Sequence, residues 1–213
     1  MGNQYNLKIP PKKLIEDKLL VYILSVREGD GSIDKNNYAV KLAVIDKDFA
    51  LYFKKVLEDW SGLEVKHYIY NNHSAPHQVI LHSKIIATFL RKYNTINKIG
   101  KVVTKVKGGK EFLQGQYDSE GSVGDKQITM SNTHKPLLLL CKKLLKGIGI
   151  ESGGIYIHKK KGTATNLGIY KKDLYRLDIG VKYNLIKFKD LVRFNIKRKQ
   201  DKLVKELNSY KRK

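Results

Sequence analysis

The chain has 213 residues, 41% of them hydrophobic, which suits one compact domain or two small ones with a real core. Lys and Arg number 42 against 20 Asp and Glu, and the net charge of +22 is spread along the chain rather than confined to a tail. That excess points to a polyanionic partner, most often nucleic acid, whose phosphates reward lysine contacts through counterion release. Cys141 is the single cysteine, so a disulfide framework and a thiolate metal centre are excluded. No apolar run approaches membrane-spanning length and the N-terminus lacks a signal-peptide core, so a soluble, cytoplasmic protein with no membrane partner is expected.

Residues 1–13 are polar, close on Pro10-Pro11 and read as an extension. Ile15 to about Glu28 is helical with apolar residues on most sides, as for a helix buried between two half-domains, and Gly29-Asp30-Gly31 ends it. Tyr38–Ile45 alternates as a strand. Asp46 or Asp48 can cap a helix over Phe49–Asp59, which Ser61-Gly62 stops. Leu63–Tyr70 and Gln78–His82 are strands joined by the turn-rich stretch from Asn71 to Pro76, and Lys84–Tyr93 is an amphipathic helix. Thr95–Gly109 is basic, lacks helical periodicity and reads as a linker.

The order then repeats. Lys110–Ser119 is a helix, Gln127–Ser131 a strand and Lys135–Leu145 a helix aligning with Lys47–Leu57. Ile155–Lys160 alternates, so that Ile155, Ile157 and Lys159 can form an apolar face. Leu174–Val181 is a strand, Lys182–Phe194 a helix, and a basic helix follows from about Lys197 to Tyr210. Each half reads as α-β-β-α-β-β-α, with one strand per half weakly marked. A period near ninety residues is too long for a solenoid and indicates a duplicated domain with pseudo-twofold symmetry.

One phrase anchors both copies. Ile23–Gly31 reads ILSVREGDG and Leu113–Gly121 reads LQGQYDSEG. Each has a small residue at its third place (Ser25, Gly115), an acid at its sixth (Glu28, Asp118), and an acid followed by glycine at its end. Helices with small residues on one stripe approach closely. Two such helices side by side would bring their last acids together, and paired carboxylates repel unless cations intervene. Oxygen-only ligation suits Mg²⁺ best.

The phrase resembles the LAGLIDADG signature of homing endonucleases. The second copy keeps L, G, D and G with Glu120 for the last Asp, and the first keeps the last acid, Asp30, and Gly31. The resemblance covers nearly the whole chain and is to the monomeric two-motif type, similar to archaeal intron-encoded members. It implies an α+β fold of two αββαββα repeats, each with a four-stranded antiparallel sheet, together forming a DNA-binding saddle. The repeats would span 14–94 and 110–213, with 95–109 as the linker.

By that resemblance, Asp30 and Glu120 bind divalent metal and cleave one strand each across the minor groove, leaving 3′ overhangs. The carbonyls of Gly29 and Ser119 would be further ligands. Mg²⁺ or Mn²⁺ would support cleavage, and Ca²⁺ would bind without supporting it. Lys84 and Lys182 align at the start of equivalent helices, where the family has a basic residue near each scissile phosphate. Glu28 and Asp118 read as structural hydrogen-bonding groups near the helix ends. Asp46 and His134 align where the family often has a polar residue that orders water, and helix capping is an equal reading of them.

Base readers are expected on the alternating strands. They are Lys41, Lys66, Tyr68, Tyr70, His77 and Gln78 in the first half, and Lys126, Gln127, Tyr156, His158, Lys160, Arg176 and Asp178 in the second. A shift of one residue in strand phase would swap their faces. The partner would be double-stranded DNA with a long, pseudo-symmetric or asymmetric target. The alternative reading is a catalytically silent RNA maturase or DNA-binding regulator on the same fold.

Overall fold

The structure is a computed structural model that describes residues 14–71, 74–165 and 168–210. The extension expected over 1–13 lies outside these residues, as do Asn72 and His73 of the first-half turn. The chain forms two compact units, the first ending at Ser119 and the second beginning at Glu120.

In the first unit, α1 (Lys18–Glu28) begins at Lys18 rather than Ile15, because the Asp17 side chain accepts from the Leu20 N–H at 2.8 Å. A carboxylate there satisfies one of the donors that a helix start leaves unpaired. Every residue from Leu20 to Val26 is buried. Within its unit, α1 packs against α2 (Lys47–Ser61) and α4 (Ile96–Lys105) and is hydrogen-bonded to α5 (Gly109–Glu120).

The α1–α5 contact is close. Ser25 Oγ donates to the Phe112 carbonyl, and Gln116 Nε2 donates to the Ser25 carbonyl at 2.6 Å. A Cβ added to Gly115 would lie 2.8 Å from Ser25 Oγ and 3.2 Å from the Tyr22 carbonyl. The small third residues of the two phrases are thus the ones that meet.

Four strands form the first sheet: β1 (Gly31–Ile33), β2 (Ala39–Val44), β3 (Lys66–Ile69) and β4 (His77–His82), antiparallel and in the order β1-β2-β4-β3. Val40, Leu42, Val44, Val79 and Leu81 turn to the helices and are buried. On α2, Phe49, Phe53, Leu57 and Trp60 repeat at helical spacing and are buried, each such side chain contributing roughly 1.5–3 kcal/mol relative to exposure. Gly62 closes α2 in the left-handed conformation (φ 70°), its N–H bonded to the Glu58 carbonyl at 2.8 Å. A short helix, α3 (Lys84–Arg91), follows β4, capped by Ser83.

The stretch expected to be a non-helical linker is corrected here, because α4 fills most of it. Thr95 caps α4, and Ile99, Val102 and Val103 are buried on one face. Lysines at 98, 101 and 105 occupy the other positions and hid the apolar spacing. Glu16 ties this helix down, accepting from Lys105 Nζ at 2.6 Å and from the Tyr93 hydroxyl at 2.8 Å.

The second unit repeats the topology. Its strands are β5 (Gly121–Gly124), β6 (Gln127–Asn132), β7 (Tyr156–Lys159) and β10 (Leu174–Ile179), in the order β5-β6-β10-β7. Between β7 and β10 the chain adds a small hairpin, β8 (Ala164–Thr165) and β9 (Gly168–Ile169), that alternation did not mark. Around the sheet stand α6 (Lys135–Gly147), α7 (Lys182–Leu191) and the C-terminal α8 (Lys197–Asn208). Cys141 is buried on α6, and burial pushes its thiol pKa up, as befits a packing residue rather than a nucleophile.

The expected apolar face of Ile155–Lys160 is corrected as well. All four residues of β7 are exposed, because β7 is an edge strand that the core residues on β6 and β10 do not reach. The weakly marked strand of each half is β1 and β5, which start directly on the motif glycines and are too short to show alternation.

Two outcomes test this packing. Gly115→Leu lowers stability by about 1–3 kcal/mol through overpacking, and adding Ser25→Gly recovers part of the loss, read as thermal midpoints. Bonds from Lys105 and Tyr93 hold the Glu16 carboxyl below its ordinary pKa. A depressed carboxylate contributes stability above its unfolded pKa and loses it as pH falls through the folded one. Glu16→Gln therefore lowers the midpoint at pH 7, and the difference from wild type shrinks as an unfolding series is taken to acid.

Candidate active site and nucleic-acid interface

Each phrase ends at a joint between a helix and a strand. Gly29 is the C-cap of α1, Asp30 follows it exposed, and Gly31 opens β1. A Cβ at Gly31 would lie 2.9 Å from the Arg27 Cα, so the sharp exit into the strand needs glycine for space rather than for a positive φ. Glu120 is the last residue of α5, and Gly121 opens β5. Both acids thus stand at helix C-termini, where free carbonyls carry partial negative charge. An acid there costs a few tenths of a kcal/mol up to about 1 kcal/mol unless a cation offsets it. The last turn of α5 holds no basic residue.

The earlier acids take structural roles. Asp118 is fully buried and its Oδ2 accepts from the Tyr22 hydroxyl at 3.2 Å. Glu28 pairs with Arg27 at 2.6 Å, and Arg27 Nη1 donates to the Leu90 carbonyl at 2.6 Å, clamping the end of α3. Ser119 Oγ is buried with no hydrogen-bond partner among the described residues.

Strand register places the expected readers. Opposite residues share a face, and Ser32, Lys41, Ile80 and Lys66 form one such row, with Ala43, Gln78 and Tyr68 in the next. Apart from Ala39 at the start of β2, this face of the first sheet carries no buried residue. Lys41 is paired with Asp34 at 2.9 Å, and the Tyr68 and Tyr70 rings lie 6.3 Å apart. His77 is on the other face. It pairs with Ile69 across the ladder and stacks on His67, ring nitrogens 3.2 Å apart, on the side of the buried Val79. Burial, then the charge of His77, lowers the His67 pKa. A one-residue phase difference at the start of β4 puts His77 on the face opposite Gln78 and Lys41.

In the second unit, Gln127 opens β6, and Tyr156, Arg176, Asp178, Ser131 and Thr129 share the open face. His158 falls at a register irregularity between β7 and β10, and Lys160 lies beyond β7. Lys126 is not on a strand. It sits in the β5–β6 turn with φ 56°, its N–H bonded to Glu206 of α8 at 3.0 Å and its Nζ 5.1 Å from the Tyr210 ring centroid.

Lys84 and Lys182 are the first residues of α3 and α7, as their alignment requires. Lys84 Nζ lies 5.5 Å from the Tyr38 ring centroid, and Lys182 Nζ 5.6 Å from that of Tyr210. Asp46 and His134 occupy the N-cap positions of α2 and α6 without a side-chain capping bond. Among the described residues there is no group of three or more His, Cys, Asp and Glu able to hold a metal by itself, and no helix is long and apolar enough to cross a membrane.

Comparison with known proteins fits this geometry. The sequence profile of the LAGLIDADG-like domain matches residues 109–193. The fold is similar to that of the homing endonuclease I-DmoI, solved in complex with DNA and Ca, with a TM-score of 0.61 and 18% identity over 83% of this chain and 90% of that one. Uncharacterized protein MJ0398 of Methanocaldococcus jannaschii is 35% identical over 200 residues, which are 89% of this chain and 72% of that protein.

The chain belongs to the LAGLIDADG family. A second relative in the same organism, uncharacterized protein MJ0314, is 33% identical over 144 residues, 62% of this chain and 55% of that protein. Full-length DUF199/WhiA from Thermatoga maritima shares the fold at a TM-score of 0.59 and 12% identity, over 93% of this chain and 62% of that one.

Within this LAGLIDADG chain one neighbour of the site escaped sequence reading. Asn132, the last residue of β6, donates from Nδ2 to Glu120 Oε1 at 3.3 Å, while its Oδ1 accepts the His134 N–H at 2.8 Å. Register makes Val44 its counterpart in the first unit, since Gly31 pairs with Leu42 and Gly121 with Met130. The two acids therefore differ in their support, which comparing only the acids of the two phrases conceals. Tyr22→Phe removes a donor from the buried Asp118 and lowers stability by about 1–3 kcal/mol, measured by denaturant unfolding.

Proposed function

We propose that the chain is a site-specific, divalent-metal-dependent DNA endonuclease that hydrolyses one phosphodiester in each strand, with Asp30 and Glu120 as the metal-holding acids. The observation that carries this reading is the repeated placement of an acid at a helix C-terminus, locked between helix and strand by glycine in both repeats. An all-oxygen donor set of carboxylates and end-of-helix carbonyls fits Mg²⁺ or Mn²⁺, with Ca²⁺ held in the same place. The homing endonuclease I-DmoI, of similar fold and solved in complex with DNA and Ca and with DNA and Mn, supports the same choice.

The metal supplies Lewis acidity at the phosphate and acidifies a water at neutral pH. The protein's own part is positional. Asp30 and Glu120 would hold divalent metal, with the Gly29 and Ser119 carbonyls as further ligands. Asn132, by donating to one Glu120 oxygen, would help to orient that carboxylate. Lys84 and Lys182 offset charge that develops on the scissile phosphates.

The open faces of the two sheets take the DNA, with Lys41, Lys66, Tyr68, Tyr70, Gln78, Gln127, Tyr156, His158, Lys160, Arg176 and Asp178 among the groups facing bases and backbone. The +22 charge supplies the sequence-independent part of binding. Cuts across the minor groove with 3′ overhangs, and residence in a mobile intron, complete the reading.

The test is cleavage of a randomised duplex library in Mg²⁺ and in Mn²⁺. The wild-type chain cuts a selected site in both strands and stops when the metal is chelated. Glu120→Gln keeps binding that site and loses cleavage of at least one strand, a drop of about 10² or more. A wild-type chain that binds DNA and cuts no library member with either ion is a regulator on this fold, and the nuclease reading falls.

A further inference from the structure

Three side chains on the open face of the second sheet form a connected device. Arg176 and Asp178 are two apart on β10 and so project to the same side, and Tyr156 on β7 is paired with Arg176 across the ladder. Arg176 Nε donates to Asp178 Oδ1 at 2.6 Å, and the Tyr156 hydroxyl donates to Asp178 Oδ2 at 2.8 Å. Each oxygen of Asp178 is thereby engaged by the protein. The two charged side chains are only about one-fifth exposed, 21% and 20%.

An aspartate on this face is otherwise unfavourable. The chain is strongly basic and the expected partner is a polyanion, so a carboxylate here repels phosphate. Its compensating contribution is geometric. An arginine side chain loses considerable rotamer freedom when it is fixed, and Asp178, itself held by Tyr156, fixes it before any ligand arrives. With Nε taken, the guanidinium offers its two terminal nitrogens, a planar fork that matches the O6 and N7 acceptors of guanine in the major groove.

Resting on the reading that this face binds duplex DNA, we propose that Arg176 is a guanine-specifying residue and that Asp178 and Tyr156 are positioning residues that hold its fork for that base. The duplicated unit lacks the device: register places Gln78, Ile80 and Tyr68 at the positions of Arg176, Asp178 and Tyr156. Glutamine pairs with adenine rather than guanine. The target is therefore asymmetric at this step, with guanine demanded in one half-site and not at the matching place in the other.

The experiment is binding selection from a randomised duplex library in Ca²⁺, using the full chain, Arg176→Lys, Asp178→Asn and Tyr156→Phe, with circular dichroism confirming that each is folded. Wild type enriches one guanine position that both Arg176→Lys and Asp178→Asn lose, its preference there falling roughly five- to a hundredfold. Tyr156→Phe weakens the same position and no other. Asp178→Asn also binds unrelated DNA more tightly than wild type, because a repelling charge is gone. A folded Arg176→Lys or Asp178→Asn protein that selects the same guanine as wild type overturns the proposal and leaves the DNA-binding reading standing. A wild-type chain that selects no sequence overturns both.

Discussion

The close approach of α1 to α5, made possible by Ser25 facing Gly115, is the contact on which the first unit depends. Larger side chains at either place would separate the helices and break the bond from Gln116 to the Ser25 carbonyl. The contact also explains why α1 is apolar nearly all round. It lies among α2, α4 and α5, and a helix covered on several sides has no solvent stripe to leave polar. Sequence conservation is not needed to see the constraint, because the distances alone leave no room for a Cβ at Gly115.

From that packing the chemistry acquires its place. A helix that stops on a glycine and turns at once into a strand gives the acid between them little freedom. Asp30 is bounded by Gly29 and Gly31, and Glu120 runs directly into Gly121. Carboxylates at helix C-termini work against the local field, and arrangements of that kind persist where a cation completes them. The surrounding polar groups behave differently: Asp118 and Glu28 are consumed by Tyr22 and Arg27, which hold the helices rather than any ligand. The earlier acid of each phrase thus takes a packing partner, while the last acid stands at the joint between helix and strand.

Much of this was legible because the duplication states it twice. Each unit's order of elements along the chain, the equivalence of Lys84 with Lys182, and the ends of α1 and α5 follow from matching the halves. What escaped did so for physical reasons. The α4 stripe of Ile99, Val102 and Val103 was diluted by lysines on its other face, and strands as short as β1 and β5 carry too little alternation to register. Ile155, Ile157 and Lys159 read as an apolar face, yet β7 is an edge strand whose residues are exposed. His77 shows the cost of phase: one residue separates it from Gln78, and the two lie on opposite faces. Asn132 was invisible because its partner Glu120 is joined to it only by the β5–β6 pairing.

The central claim is that Asp30 and Glu120 exist to hold divalent metal. It is tested most directly by anomalous scattering from Mn²⁺ in crystals of the chain bound to its selected duplex. The account predicts manganese bonded to a carboxylate oxygen of Asp30 and of Glu120, at about 2.0–2.3 Å. Manganese held by other groups, with both carboxylates turned away from it, would contradict the account.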